Sequence, residues 1–279
     1  MSFSKLFAVA IGLGGLVIPR FAAANLPKQA LIPGGVAIVQ LSTESQNSPE
    51  VYYMGQRVLV LADPKKRRHW LAVIGIPLNA KIGNNDIQIH SNNRIVNKSF
   101  LVRQKKYPVQ KLTIADQRKV TPLPEDEQKI AAEYAETIQT YTTWEYKQLA
   151  SLKLALPVKG RLSSPFGLTR IINNIPKNPH SGLDIAAPLG AKVQAAKDGR
   201  VINIGDYFYT GNIVFVDHGQ GFITSYCHLD KVTVRIGQQL KTGDIIGMVG
   251  KTGRATGPHL HWSVSLNGVR VDPKLFIYG

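Results

Sequence analysis

From about Leu156 onward the chain is a series of short apolar runs separated by glycines, and that texture allows few folds. The runs cover residues 192–196, 200–204, 212–216, 222–228, 244–249 and 259–264, with Gly199, Gly211, Gly219, Gly237, Gly243 and Gly257 between or beside them. They are too short for stable helices and rich in β-branched and aromatic residues, which reads as strands joined by tight turns. The expectation is a mostly antiparallel β domain of about 120 residues.

Upstream, residues 25–115 carry a second set of β-like runs at 36–41, 57–61, 70–76, 87–89, 98–102 and 110–114. Turn signals at Asp63-Pro64, Gly83-Asn84-Asn85-Asp86 and Tyr107-Pro108 separate them, as in a small β-sandwich. Lys65-Lys66-Arg67-Arg68-His69 falls at a hairpin tip and reads as a solvated loop. His69 and His90 have no ligand-like neighbours in sequence and read as surface residues. Thr121-Pro122-Leu123-Pro124-Glu125-Asp126-Glu127 is a helix start, with proline in the first turn and acids at the positive end of the dipole. Ile130, Tyr134, Ile138, Tyr141, Leu149 and Leu152 continue at helical spacing, predicting one packed stripe on a helix of several turns that bridges the modules. The fold class is therefore mainly β. It comprises a β-sandwich module (25–115), a helical linker (116–155) and an antiparallel β domain (156–279).

Residues 1–24 read as a secretory signal: a basic start at Lys5, an apolar run from Leu6 to Pro19, and the small residues Ala22, Ala23 and Ala24 before a cut. The apolar run is shorter than the roughly 20 residues a bilayer span needs. Export places the protein in the periplasm or outside the cell. The formal net charge of +16 favours an anionic partner there.

Candidate chemistry concentrates in the last domain, which holds five of the seven histidines. In a strand over 259–264, His259 and His261 share one face while Leu260 and Trp262 point the other way. His180 and Asp184 bracket Ser181-Gly182-Leu183, a segment short enough to fold back and offer an imidazole nitrogen and a carboxylate oxygen to one ion. With His261 they make three protein ligands and leave a fourth position for water, the pattern of a catalytic zinc site. The single cysteine, Cys227, excludes a cysteine-built zinc cluster and an internal disulfide. Its neighbour His228 would face the opposite side of a strand, so Cys227 reads as a small buried residue and not as half of a Cys-His pair. Gly250-Lys251-Thr252 looks like the end of a P-loop, but Ile245 stands where the first glycine is required and no helix pattern follows.

Three segments in order, His180-Ser181-Gly182-Leu183-Asp184, Tyr226-Cys227-His228-Leu229 and Thr256-Gly257-Pro258-His259-Leu260-His261, closely resemble the signatures of the LytM/lysostaphin-type zinc metallopeptidases, the M23 peptidases. Ser164-Pro165-Phe166-Gly167, Val216-Asp217-His218-Gly219 and Gly243-Asp244-Ile245-Ile246-Gly247 fall where that family has similar segments. The resemblance covers about residues 157–275, roughly two-fifths of the chain. It implies that His180, Asp184 and His261 hold Zn2+ and that His228 and His259 are the catalytic pair, either of which could be the base. His218 matches a family position that is not a ligand and reads as structural. Some members carry a tyrosine shortly before the first ligand; here that stretch is Ile171 to Asn178, so Arg170 or an asparagine of that loop takes the role if any residue does.

The implied activity is a secreted endopeptidase cutting peptide bonds in the stems or cross-links of peptidoglycan, with D-Ala to diaminopimelate bonds preferred over glycine bridges. The alternative is a non-catalytic scaffold of the same fold that activates a separate amidase. The upstream module is expected to restrict the cleft within the same chain. A nucleic-acid partner is disfavoured by the export signal and by the shortage of stacking aromatic motifs.

Overall fold

The computed structural model describes residues 25–42, 47–66, 68–91 and 94–277. The signal expected over 1–24 and Arg67 of the basic tip lie outside them. The chain is mainly β, as the alternation and turn chemistry predict, with twenty strands and one α-helix among the described residues.

The first eight strands are β1 (Val36–Ser42), β2 (Glu50–Tyr53), β3 (Gln56–Arg57), β4 (Leu59–Ala62), β5 (His69–Gly75), β6 (Gly83–Ser91), β7 (Arg94–Val102) and β8 (Val109–Leu112). One sheet runs β1-β5-β4 and a second β3-β2-β6-β7. Val39, Leu41, Val60 and Ile74 of the first pack with Val51, Tyr53, Ile87 and Phe100 of the second in one buried cluster, which makes the expected small sandwich.

Gly83-Asn84-Asn85-Asp86 is not a turn. It forms the start of β6, in register with Ser99 to Val102 of β7. The polar side chains that suggested a turn are used on the sheet: Asn85 accepts from the Tyr53 hydroxyl at 2.8 Å and Asp86 accepts from the Ser99 hydroxyl. His69 and His90 are half-buried. The His90 ring lies 4.9 Å from that of Tyr52.

The helix α1 (Pro124–Tyr141) begins where expected, with Pro124 in its first turn and Asp126 reaching back to accept from the Leu123 backbone N–H at 3.2 Å. It ends sooner than the apolar spacing predicts. The Thr142 hydroxyl takes the carbonyls of Ile138 and Gln139 at 3.1 and 3.0 Å, and β-branched Thr142 and Thr143 give the helix no reason to continue. The expected stripe is therefore split: Tyr134 and Ile138 are exposed on the helix, while Leu149 and Leu152 are buried in a non-helical stretch that crosses between the modules.

The remaining strands are β9 (Arg161–Ser164), β10 (Thr169–Ile172), β11 (Ile175–Lys177), β12 (Leu183–Ala186), β13 (Lys192–Gln194), β14 (Gly199–Tyr207), β15 (Gly211–Asp217), β16 (Ile223–Val232), β17 (Gln239–Leu240), β18 (Ile245–Val249), β19 (His259–Leu266) and β20 (Val269–Val271). Most belong to one sheet whose main path is β17-β14-β15-β16-β19-β12-β9, with every pairing antiparallel. Ile171 to Asn178, which reads as a loop, is the β10–β11 hairpin. Asn173 and Asn174 both have positive φ at its two-residue turn, the type I′ geometry for which asparagine is suited.

Two features join the halves. β8 leaves the upstream module and pairs in parallel with β10 of the last domain. The largest buried cluster also mixes Val36, Leu59 and Val73 with Leu152, Trp262 and Leu266. At this seam a Cβ on Gly75 would sit 2.9 Å from the Leu266 carbonyl oxygen, so only glycine allows the approach. Asn267, at the β19–β20 turn, closes the seam by accepting from the Gly75 N–H at 2.6 Å and donating to its carbonyl at 3.2 Å.

Candidate metal centre

Antiparallel pairing of β12 with β19 sets Asp184 directly opposite His261. His180 lies just before β12, pinned by its own N–H to the Leu168 carbonyl at 2.9 Å and by the Gly167 N–H to its carbonyl at 2.7 Å. Gly182 has to be glycine here: a Cβ would meet the His261 ring at 2.6 Å. Three atoms converge as a result. His180 Nε2 is 2.9 Å from Asp184 Oδ1, His261 Nδ1 is 2.8 Å from the same oxygen, and the two nitrogens are 3.0 Å apart.

The partner on the far side of each ring bears on which nitrogen carries hydrogen. His180 Nδ1 faces the Pro165 carbonyl at 2.7 Å, which can only accept, so its hydrogen is there and Nε2 presents a lone pair. His261 Nε2 meets the Ser263 hydroxyl at 3.1 Å, which leaves Nδ1 as the inward lone pair when that nitrogen donates. Two imidazole lone pairs and a carboxylate oxygen thus point at one spot. Only a cation between them makes that arrangement favourable. Donors at about 2.0–2.1 Å from a tetrahedral zinc stand about 3.3 Å from each other, close to the spacing found. The nitrogen-rich set fits zinc better than an oxygen-seeking ion such as calcium.

The electrostatics agree. Burial pushes the Asp184 carboxyl up, but the adjoining His180 and His261 outweigh this and hold it well below the usual carboxylate range. Arg170 holds the other carboxylate oxygen, with Nη2 donating to Oδ2 at 3.1 Å. Burial lowers His261 to about 4 despite the adjoining carboxylate, so its ring is neutral at neutral pH, as a ligand must be.

His228 and His259 stand beside this group, their ring centroids 4.8 Å apart. His228 occupies a bulge of β16 with φ of 61°, a left-handed conformation costing a non-glycine residue roughly 1–2 kcal/mol. Its Nδ1 faces the Thr252 carbonyl at 2.7 Å. His259 Nδ1 faces the Gly257 carbonyl at 2.8 Å, and its Nε2 lies 3.9 Å from Asp184 Oδ1. Because a carbonyl can only accept, each ring carries a hydrogen on Nδ1, which leaves Nε2 as the nitrogen that can take a proton. Burial, and then the charges of His259 and His261, lower His228 to about 3.

The five site residues predicted from sequence therefore meet at one place. His218 does not join them: it is fully buried, with Nδ1 against the Asp198 carbonyl and Nε2 accepting from the Thr224 hydroxyl, both at 2.9 Å. Cys227 is buried in a separate cluster with Tyr141 and Phe215, its thiol pushed up to about 12 by burial. Arg170 reaches the site and Asn178 of the same stretch lines the cleft over it, but Asn173 does not join them. Asn173 turns away to bond both backbone groups of Ile114 at 2.9 Å. Sequence reasoning did not find Pro165 and Ser263, which orient the two rings. Ser263 could have been found, since it follows His261 by two on the same strand face.

A cleft of about 660 Å³ opens over the group. His180, His228 and His261 form its floor with Arg170, and Ile130 and Tyr134 of α1 stand on its far wall. A smaller recess of about 270 Å³ on the other side of Asp184 is bounded by Gln110 of β8, Ser164 and His259.

Comparison with known proteins agrees with this architecture. Residues 178–273 match the model of peptidase family M23, and residues 29–105 match that of the peptidase family M23 N-terminal domain. A crystal structure of a putative peptidase M23 from Pseudomonas aeruginosa is 43% identical, covers 89% of this chain and 96% of its own, and superposes with a TM-score of 0.75. The chain belongs to peptidase family M23. Among curated relatives, peptidoglycan DD-endopeptidase ShyA of Vibrio cholerae is 39% identical over 45% of this chain and 29% of its own length. The DD-carboxypeptidase/endopeptidase Mpg of Neisseria meningitidis is 41% identical over 40% of this chain and 26% of its own. The matches to these curated relatives span less than a third of the relatives' length.

Proposed function

We propose that this protein is an exported zinc endopeptidase that hydrolyses peptide cross-links or stems in peptidoglycan, with His180, Asp184 and His261 as the zinc ligands. The observation that carries the reading is the convergence of three lone pairs beside two further imidazoles. Zinc, when bound, supplies Lewis-acid polarisation of a carbonyl and acidification of water. Arg170 fixes the Asp184 carboxylate, and Pro165 and Ser263 fix the two rings, so the ligands are preorganised.

His259 is the proton acceptor in this reading. Its bare Nε2 lies beside the ligand group, and its side chain is 16% exposed, which allows proton exchange with solvent. His228, lowered to about 3, is too acidic to hold a proton at neutral pH, and its neutral ring orients the reacting groups from below. The substrate class is supported by the names of the relatives and by the formal charge of +16, which suits an anionic wall polymer. D-Ala to diaminopimelate bonds are the preferred target. Export to the periplasm or cell exterior rests on the basic, apolar and small-residue pattern of residues 1–24. A non-catalytic scaffold is the weaker reading, because all five site residues are in place.

A restriction of the site by the upstream part of the chain is supported by α1, which walls the cleft, and by β8, which brings Gln110 to the smaller recess. We place the intramolecular restriction there. The test of the activity is incubation of purified, zinc-loaded protein with isolated sacculi, followed by analysis of the released fragments. Loss of cross-linked dimers in favour of monomers is expected, and intact sacculi would count against the reading.

A further inference from the structure

Arg254 stands in the cleft without an acidic partner. Its loop, between β18 and β19, is pinned by its own backbone N–H to the Tyr209 carbonyl at 2.8 Å. The guanidinium carbon lies 4.4 Å from the centre of the Tyr209 ring, and the one hydrogen bond of the head, Nη1 to the Lys119 carbonyl, is long at 3.5 Å. Among the described residues no carboxylate forms an ion pair with it within 4 Å. The other guanidinium near the floor, Arg170, is already committed to Asp184.

A partly buried guanidinium with most of its donors unused is an open site for a planar anion. Arginine offers a rigid fork that matches a carboxylate bidentately, and stacking on Tyr209 restricts it to one plane. Burial opposes its charge and the nearby Arg170 repels it, so an incoming carboxylate relieves both effects. Arg254 lines the same cleft as His180, His228 and His261, so such a carboxylate would share that cleft with the bond under attack.

We propose that Arg254 binds a free carboxylate carried by the residue flanking the scissile amide, and so selects cross-links whose amine comes from a diamino diacid. The inference rests on the endopeptidase reading for the identity of the bond, but not for the carboxylate preference itself. Diaminopimelate carries a carboxylate on the carbon that bears the linked amine. Lysine at the same place is the same molecule without it. A cleft with an unpaired arginine separates the two, and a cleft without one does not.

The experiment measures binding of two cross-linked peptide fragments, identical except for diaminopimelate in one and lysine in the other, to the full chain carrying His259→Ala so that neither is cut. The diaminopimelate fragment is expected to bind about tenfold more tightly or better. Adding Arg254→Gln should bring the ratio to about one, and Arg254→Lys, which keeps the charge but not the fork, should keep only part of it. Equal binding of the two fragments by the Arg254 protein overturns the proposal, as does a preference that survives Arg254→Gln. If the binding ratio holds but the chain with His259 intact and zinc present cuts neither fragment, only the endopeptidase reading fails.

Discussion

Asp184 and His261 face each other across two antiparallel strands, the carboxylate Oδ1 2.8 Å from the ring Nδ1. Neither residue reaches this position alone. The register of β12 against β19 sets their separation, Gly182 leaves room for the ring, and Arg170 and Ser263 hold the far sides of the two groups. The geometry of these donors is thus a property of the sheet.

Ser263→Ala removes the hydroxyl on which His261 Nε2 rests while leaving the strand intact. Loss of such an outer partner typically weakens metal binding by about 10–100-fold. Competition for zinc against a chelator of known affinity should show a weakening in that range, with an unchanged circular dichroism spectrum. An unchanged affinity means that Ser263 does not orient the ring.

Asn267→Gly tests the seam between the modules. Glycine keeps the left-handed turn, where Asn267 has φ of 42°, but removes both hydrogen bonds to Gly75. Leaving the buried Gly75 N–H unpaired should destabilise the chain by about 1–3 kcal/mol, read as a lower denaturant midpoint. A midpoint equal to that of the parent shows that water replaces the side chain.

His218 gives a pH dependence with a defined sign. Burial lowers its imidazole to about 3, whereas in the unfolded chain it titrates near 6.5. Between those values the unfolded state binds the extra proton. Stability therefore falls as pH drops from about 6.5 towards 3, by up to about 1.4 kcal/mol per unit, and this contribution is complete above 6.5. His218→Asn should make the stability–pH slope in that window shallower by about one proton, whatever it does to stability at pH 7. Identical slopes contradict the buried neutral ring.

Restriction of the cleft predicts a gain of activity. Glu133 accepts from the Phe208 N–H and Glu136 from the Asn203 amide, both at 2.8–2.9 Å, tethering α1 over the site. Replacing both by alanine loosens the N-terminal part of the helix, while Thr140 and Tyr141 still anchor its end to the last domain through Asn203 and Ser225. Sacculi should then be digested several-fold faster than by the parent. A rate equal to or below that of the parent removes the basis for the restriction.

Much of this site is legible in the residues themselves, because its ligand and imidazole motifs are local: two His on one strand face, and a His and Asp four apart. What the chain does not reveal locally is register. Asp184 sits on the four-residue strand β12, too short to register as a periodic pattern, and its pairing with His261 bridges 77 residues. The same reason explains the misreadings. Gly83 to Asp86 has turn composition but is paired along β7, and the apolar spacing after Tyr141 continues into a chain that is no longer helical because the packing partner has changed. The parallel pairing of β8 with β10 has no signature in either segment.

The most direct test of the account is the zinc content of the purified full-length chain after zinc loading and exhaustive dialysis, measured for the parent and for Asp184→Ala and His261→Ala. About one tightly held zinc per parent chain is expected, and almost none in either variant while both remain folded. A parent chain that holds no zinc, or variants that hold as much as the parent, would contradict it.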